Sequence, residues 1–192
     1  MHEEIVTLAM PYYKKARPGD VEHITWLKEQ LYGLRLEIIE KGYDFEVIFA
    51  LTILHDVGYS KMPKNCNPYD LKIRKAHAKA SAVIAKKILR KVGFPRTKVR
   101  KALYLIEHHD DWAFGKTLKD PEWRVFTDVD MSWEASRKGF DIVRKFLGQT
   151  RKEFFKTVKK DYTEKQKERP FYIEKTKKIF LQDMKYWKKR IN

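Results

Sequence analysis

Apolar residues recur at helical spacing along most of the chain, and no run alternates as a half-buried strand would. The clearest seam lies on one face of a predicted helix and is formed by Ile24, Leu27, Leu31, Leu34 and Ile38. Asp20 is suited to cap the start of this helix, and Gly42 is suited to end it. Residues 44–55 are apolar nearly all round, which is typical of a helix buried at the centre of a bundle.

Helical spacing continues further along the chain, over residues 71–92, 98–109 and 122–133, and in one or two basic, aromatic-rich helices that reach about residues 147 and 162. Pro170 suits the first turn of a last helix. The pattern predicts an all-α protein without strands. We expect a single domain over residues 1–192, with a core at about 20–135 and a basic helical extension at about 136–192.

Size and composition narrow the class of protein. A hydrophobic content of 43% over 192 residues excludes wholesale disorder. The apolar runs fall far short of a membrane span and no export-type segment opens the chain, so we expect a cytoplasmic protein without a membrane partner. The single cysteine, Cys66, cannot form an internal disulfide or a thiolate cage, so a bound metal would need nitrogen and oxygen ligands.

The net charge of +16 makes a polyanionic partner conceivable, but charge concerns association rather than chemistry. Residues 134–192 hold 19 Lys and Arg against 8 Asp and Glu, so the excess is concentrated in the last third. Basic residues spread around solvated helices are also common in heat-tolerant proteins. We favour this interpretation over a nucleic-acid surface.

Polar residues interrupt the apolar seams of five predicted helices: His23, His55, His77, His109 and Asp130. A buried imidazole or charge is costly unless it is paired or bound to a metal. His108 is next to His109 in the sequence but lies on the side of the predicted helix that carries Tyr104. Asp130 shares the aromatic face of its helix, whereas Asp128 lies on the face of Arg124. Neutral imidazoles with carboxylates suit Mn, Fe, Ni, Zn or Mg, and facing helices of a bundle commonly build such sites.

The order of these residues resembles the HD-domain superfamily of metal-dependent phosphohydrolases. The motif residues are His23, the pair His55-Asp56 in "ILHDVGYS", His77, His108 or His109, and Asp130. The resemblance covers about residues 20–135 and implies the α-helical bundle of that family. It also implies that one metal ion is held by His23, His55, Asp56 and Asp130. Family members commonly have Asp-x-Asp at the last position, so Asp128 is the alternative ligand there.

The chain is also similar to the two-metal branch of this family, in which the carboxylate at Asp56 bridges two ions. By this resemblance the second ion would rest on His77 and His109, with His108 as a further ligand or a partner of the ligands. The twin histidines are similar to the cyclic-dinucleotide phosphodiesterase branch, but its Gly-Tyr-Pro triplet is missing after "HHDDWAFG". The substrate of that branch is therefore not adopted.

Phosphate ester hydrolysis with one or two divalent ions is the expected activity, with a small phosphorylated, nucleotide-like substrate. Cations near the motifs are candidates to bind its phosphates: Lys61, Lys64, Arg74 and Arg137. Asp110 could act as a general acid or orient the imidazoles, as could Asp111. Gly58 could let the chain turn sharply away from the metals. Three aromatic residues could stack on a base, namely Tyr59, Trp112 and Phe114.

Two other functions would explain part of the same sequence features. Relatives of the myo-inositol oxygenase kind use a two-iron site with the same ligand types, and the ligands alone do not separate oxygen activation from hydrolysis. A basic nucleic-acid-binding module, with the metal structural or absent, would use the C-terminal helices instead. The wider family favours hydrolysis.

Overall fold

The computed structural model describes residues 1–168 and 170–191, and every regular element within them is helical. The α-helices are α1 (His2–Tyr13), α2 (Asp20–Glu40), α3 (Phe45–Leu54), α4 (Leu71–Lys91), α5 (Arg96–Glu107), α6 (Pro121–Ala135), α7 (Gly139–Phe146), α8 (Arg151–Glu168) and α9 (Glu174–Lys188). Two short 3₁₀ helices, Val57–Lys61 and Asp111–Phe114, lie between them. The predicted all-α fold is confirmed for this part of the chain.

The chain divides into two compact units, Met1–Trp123 and Arg124–Asn192, and the division falls within α6. The single domain expected over residues 1–192 stays a prediction. Within the described residues, no helix combines the length and the apolar character that a membrane crossing requires.

Helix α3 packs against α1, α2, α4 and α5, and residues 47–54 are all buried. This position agrees with its continuous apolar run. Asp44 caps its start by accepting hydrogen bonds from the backbone N–H groups of Glu46 and Val47. Because α3 ends inside the first unit, the polar pair His55 and Asp56 lies among side chains and is nearly inaccessible to solvent.

Helix α1, for which the apolar pattern made no prediction, is tied to the end of α3. The Tyr13 hydroxyl donates a hydrogen bond to the Ile53 carbonyl at 2.9 Å. The predicted cap at Asp20 is wrong, because Gly19, with a φ of 92°, is the N-cap of α2. The Asp20 carboxylate instead accepts hydrogen bonds from the backbone N–H and the guanidinium of Arg17, which occupy both of its oxygens.

Gly58 brings the 3₁₀ helix that follows Asp56 into direct contact with α4. A Cβ at this position would lie 2.1 Å from the His77 carbonyl oxygen and 2.6 Å from the Ser81 nitrogen, so only glycine fits. The Gly58 N–H donates a hydrogen bond to the Ser81 hydroxyl at 2.8 Å. The predicted role of Gly58 is a sharp turn of the chain. In the structure this glycine allows two backbones to approach closely, which places Asp56 beside His77.

An apolar cluster forms the core of the second unit, with the buried residues Ala135, Phe140, Phe154, Val158, Phe180 and Trp187. Helix α9 begins at Glu174, so the prediction that Pro170 lies in its first turn is wrong. The reason lies in α6, where the Asp128 carboxylate accepts hydrogen bonds from the backbone N–H groups of Tyr172 and Ile173 and holds this segment outside the helix. Asp128 also pairs with the buried ammonium of Lys165 at 2.6 Å.

Candidate metal centre

The two carboxylate oxygens of Asp56 face two different pairs of imidazoles. Oδ2 lies 3.4 Å from His55 Nε2 and 3.9 Å from His23 Nδ1. Oδ1 lies 3.2 Å from His77 Nε2 and 3.6 Å from His109 Nε2. We call His23, His55 and Asp56 the first group, and Asp56, His77 and His109 the second group. All five side chains are buried, and the ligand atoms of each group lie within 4.8 Å of one another.

Three of the four rings are oriented by hydrogen bonds to backbone carbonyls. The Nδ1 atoms of His55, His77 and His109 donate to the carbonyls of Thr52, Ile73 and Ile106, at 2.9, 3.1 and 2.8 Å. A carbonyl oxygen can only accept, so in the neutral ring Nδ1 carries the proton and Nε2 presents a lone pair. This arrangement is typical of metal-binding histidines, whose second nitrogen is fixed by a hydrogen bond to the protein.

The resulting cluster consists of acceptors that face acceptors. The Nε2 atoms of His77 and His109 are only 3.1 Å apart, and both point at Oδ1 of Asp56. Lone pairs this close repel one another unless a proton or a cation lies among them. Two ligands 3.1 Å apart, each about 2.1 Å from one ion, enclose an angle of about 95°. This is close to the right angle between neighbouring ligands of an octahedral ion. The spacing of His77 and His109 therefore suits an ion, and the ligand atoms of each group are close enough to hold one.

The electrostatics of the cluster keep its central carboxylate ionised. Burial would raise the pKa of Asp56, but in the metal-free protein the charge of His55, the bonds to His109 and His77, in which a proton at Nε2 takes the place of a cation, and the charge of Arg17 together hold it well below its usual value. Burial lowers the pKa of His77, which favours its neutral form. Burial also acts to lower the pKa of His109, but the charge of Asp110 and the bond to Asp56 outweigh it, and the pKa is raised.

Asp110, predicted as a catalytic acid, lies at the edge of the second group. Its Oδ2 is 3.7 Å from His77 Nε2 and 3.8 Å from His109 Nε2. Its Oδ1 accepts a hydrogen bond of 2.7 Å from Arg74, one of the predicted substrate-binding cations. The Arg74 guanidinium also lies 4.9 Å from the Trp112 ring centroid. Asp110 is thus positioned either to ligate beside the imidazoles or to exchange a proton there.

Arg17 belongs to the site, although the sequence pattern gave no sign of it. Its Nη2 lies 3.1 Å from Asp56 Oδ2 and 3.0 Å from Asp20 Oδ1. Arg17 precedes the predicted start of helix α2 at Asp20 and lies on no periodic face, so the spacing of apolar residues could not mark it. Its sequence distance of three residues from Asp20 was the one available signal, and it marks a local ion pair rather than a site.

The Tyr59 ring lies between His77 and Arg17 and cannot have its predicted role of stacking on a base. One face of its ring stacks on His77, with centroids 3.9 Å apart and planes 13° from parallel. The Arg17 guanidinium carbon lies 3.3 Å from the ring centroid. The side chain is buried, so the expectation that Tyr59 stacks on a substrate base is wrong. Its role is to hold a ligand and a cation in place.

The remaining candidates of the first unit lie away from these contacts. His108 bonds through Nδ1 to Asp111 Oδ2 at 2.9 Å, and about a third of its side chain is exposed. The structure therefore separates His108 from its neighbour His109, because α5 ends at Glu107 and the two rings leave the chain in different directions. Lys61 and Lys64 are exposed in the connection between α3 and α4. Phe114 is also exposed.

Three candidates belong to the second unit. Arg137 is largely exposed and pairs with Asp183 at 3.5 Å. Asp128 is engaged by Lys165 and two backbone N–H groups, so its carboxylate has a structural role within this unit. Asp130 is half-buried on α6, and its role as a ligand stays a prediction.

Comparison with known proteins does not assign the chain to a family. No protein-family model, curated protein or solved structure matches it. The resemblance to the HD-domain superfamily therefore rests on the motif residues alone, and the site is defined by its own geometry.

Proposed function

We propose that the protein is a divalent-metal-dependent phosphohydrolase of the HD-domain kind, which cleaves a nucleotide or another small phosphate ester. One observation carries the proposal, namely a buried carboxylate whose two oxygens each face a separate pair of imidazoles. A helical protein gains no stability from gathering acceptors in this way, so we infer that cations bind among them.

The chain supplies the positioning for this chemistry. Two divalent ions would lower the pKa of a water molecule and draw negative charge off the phosphoryl oxygens. Asp56 fixes the spacing of the two groups because each of its oxygens serves one of them. Asp110 is oriented by Arg74 and lies beside His77 and His109, where it can take up or deliver a proton.

Arg74 has the strongest support among the proposed substrate-binding cations. It is buried, it bonds to Asp110, and it lies over Trp112 with Tyr69 at 5.4 Å from its guanidinium carbon. A guanidinium held in this way presents a fixed fork to a phosphate group. Trp112 and Phe114 keep the proposed role of stacking on a base. Lys61 and Lys64 stay candidates to bind the phosphates. Arg137, in the second unit, stays a prediction of the sequence.

The test is phosphate release by protein stripped with a chelator and reloaded with Mn²⁺, assayed over nucleotides and phosphomonoesters. We expect turnover by the wild-type protein and its loss in His55→Ala and Asp56→Asn, both of which should stay helical by circular dichroism. His2→Gln is the matched control, because His2 bonds to Glu46 outside both groups. The proposal fails if no ester is hydrolysed or if the variants retain full activity. An iron- and air-dependent reaction without phosphate release would favour the oxygenase.

A further inference from the structure

Arg17 places a fixed positive charge on one side of the shared carboxylate. Its Nη2 contacts Asp56 Oδ2, which is the oxygen that faces His23 and His55. The guanidinium is held there by Nε and Nη2 bonds of 3.0 to 3.2 Å to Asp20 and by its position over the Tyr59 ring. Only 11% of the Arg17 side chain is exposed. An arginine bound on three sides keeps its charge and position.

In the second group a carboxylate, rather than a guanidinium, faces the ligand atoms. Besides Oδ1 of Asp56, a second carboxylate oxygen lies near its imidazoles. Oδ2 of Asp110 is 3.7 Å from His77 Nε2 and 3.8 Å from His109 Nε2. The nearby cation, Arg74, contacts Oδ1 of Asp110, the oxygen that does not face the two Nε2 atoms. A cation entering the second group therefore meets the Asp110 carboxylate directly. A cation entering the first group instead shares its oxygen with Arg17, and the Asp20 carboxylate on this side contacts the guanidinium.

We infer that Arg17 is a positioning residue that orients Asp56 and, by its charge, makes the first group the weaker of two unequal metal sites. The second group then fills first. A carboxylate oxygen has two lone pairs, so Arg17 and an ion can both use Oδ2, and the cost of doing so is Coulomb repulsion between them. This inference rests on the two-ion site of the proposed function and concerns the order in which that site is loaded.

Mn²⁺ titration of chelator-stripped protein, with free Mn²⁺ followed by electron paramagnetic resonance, tests the inference. The wild-type protein should show a tight and a weak class of ion. Arg17→Gln should raise the affinity of the weak class at least about tenfold, a modest value for charges a few ångströms apart at a near-surface dielectric. The tight class should change little. Arg35→Gln is the control, because Arg35 is an exposed arginine that lies over Phe45.

Arg17→Gln leaves the buried Asp20 without its partner, so the double variant Arg17→Gln/Asp20→Asn is measured beside it. Single-ligand variants of the otherwise native protein give a second readout. His77→Ala should remove the tight class and His23→Ala only the weak one. The inference is overturned if His23→Ala removes the tight class, or if removal of the Arg17 charge leaves the weak affinity unchanged or lower. Phosphate release takes no part in the readout, so ordered Mn²⁺ binding without any hydrolysis would contradict the proposed function alone.

Discussion

At the scale of single residues, Tyr59 shows how the site is held by packing. Its ring separates His77 from Arg17, so it fixes a ligand of the second group and the cation beside the first. We expect Tyr59→Phe to keep both stacks and to bind Mn²⁺ as the wild-type protein does. Tyr59→Leu should lose the ring contacts, each worth about 0.5–1.5 kcal/mol, and weaken Mn²⁺ binding. Thermal unfolding and Mn²⁺ titration measure the two effects, and equal behaviour of the two variants would contradict this role.

The imidazoles of the second group also predict a pH dependence. His109 has a raised pKa despite its burial, because Asp110 and Asp56 favour its charged form. Mn²⁺ must displace that proton, so affinity should fall as the pH is lowered through the raised pKa. Without metal the sign is reversed: stability from charged His109 is present below the pKa of the unfolded chain and is lost as pH rises through the raised value. Calorimetry in buffers of different ionisation enthalpy counts the protons released, and a pH-independent affinity would contradict this assignment.

At this scale, sequence reasoning singled out most members of the two groups but missed the residues that support them. Periodicity placed His23, His55, His77 and His109 on apolar seams, and this is a property that spacing alone can report. Arg17 was missed because it lies in a break between helices, where no period applies. Tyr59 was misjudged because stacking on both ring faces depends on the tertiary arrangement of α4 and the α1–α2 connection.

At the scale of helices and connections, the approach of the 3₁₀ helix to α4 decides the geometry of the second group. Gly58→Ala would place a methyl group 2.1 Å from the His77 carbonyl, so one backbone must move. We expect a loss of about 1–3 kcal/mol of stability and a weaker second group, because α4 carries His77. Gly33→Ala is the control, since nothing lies within 4 Å of its Cβ in α2 and the change should stabilise the helix by up to about 1 kcal/mol.

Chemical unfolding and Mn²⁺ titration of these two glycine variants decide the matter. Normal Mn²⁺ binding by Gly58→Ala would show that the close approach is not needed.

The sequence predicted the long helices well because their apolar faces are periodic. It misplaced the start of α9, since a distant carboxylate, Asp128, binds the backbone N–H groups of residues 172 and 173 outside the helix and local propensity cannot reveal that contact.

At the scale of the whole molecule, the second unit depends on a buried ion pair. Asp128 and Lys165 are each about 1% exposed, and removing one partner would leave the other charge buried. We expect Asp128→Ala to lose about 3–5 kcal/mol of stability, and Lys165→Met in that background to restore part of it. Asp183→Ala is the control, because its partner Arg137 is largely exposed and their pair should contribute less than about 1 kcal/mol. Equal losses in the two alanine variants, measured by urea unfolding, would contradict a structural role for Asp128.

The basic charge of the last third illustrates what composition can and cannot predict about the whole molecule. Residues 134–192 contribute +11 of the net charge of +16, and most lysines of α8 and α9 are exposed, while the aromatic core of this unit explains why those segments fold. Neither property identifies a partner, because charge acts on association generally. The candidate chemistry depends instead on a few buried residues of the first unit.

The central claim is that cations bind among the imidazoles around Asp56. Anomalous X-ray scattering from crystals grown with Mn²⁺ tests it most directly, because the signal locates manganese without reference to activity. We expect one peak among His23, His55 and Asp56 and a second among Asp56, His77 and His109. The absence of any peak at Asp56 under saturating Mn²⁺ would contradict the account.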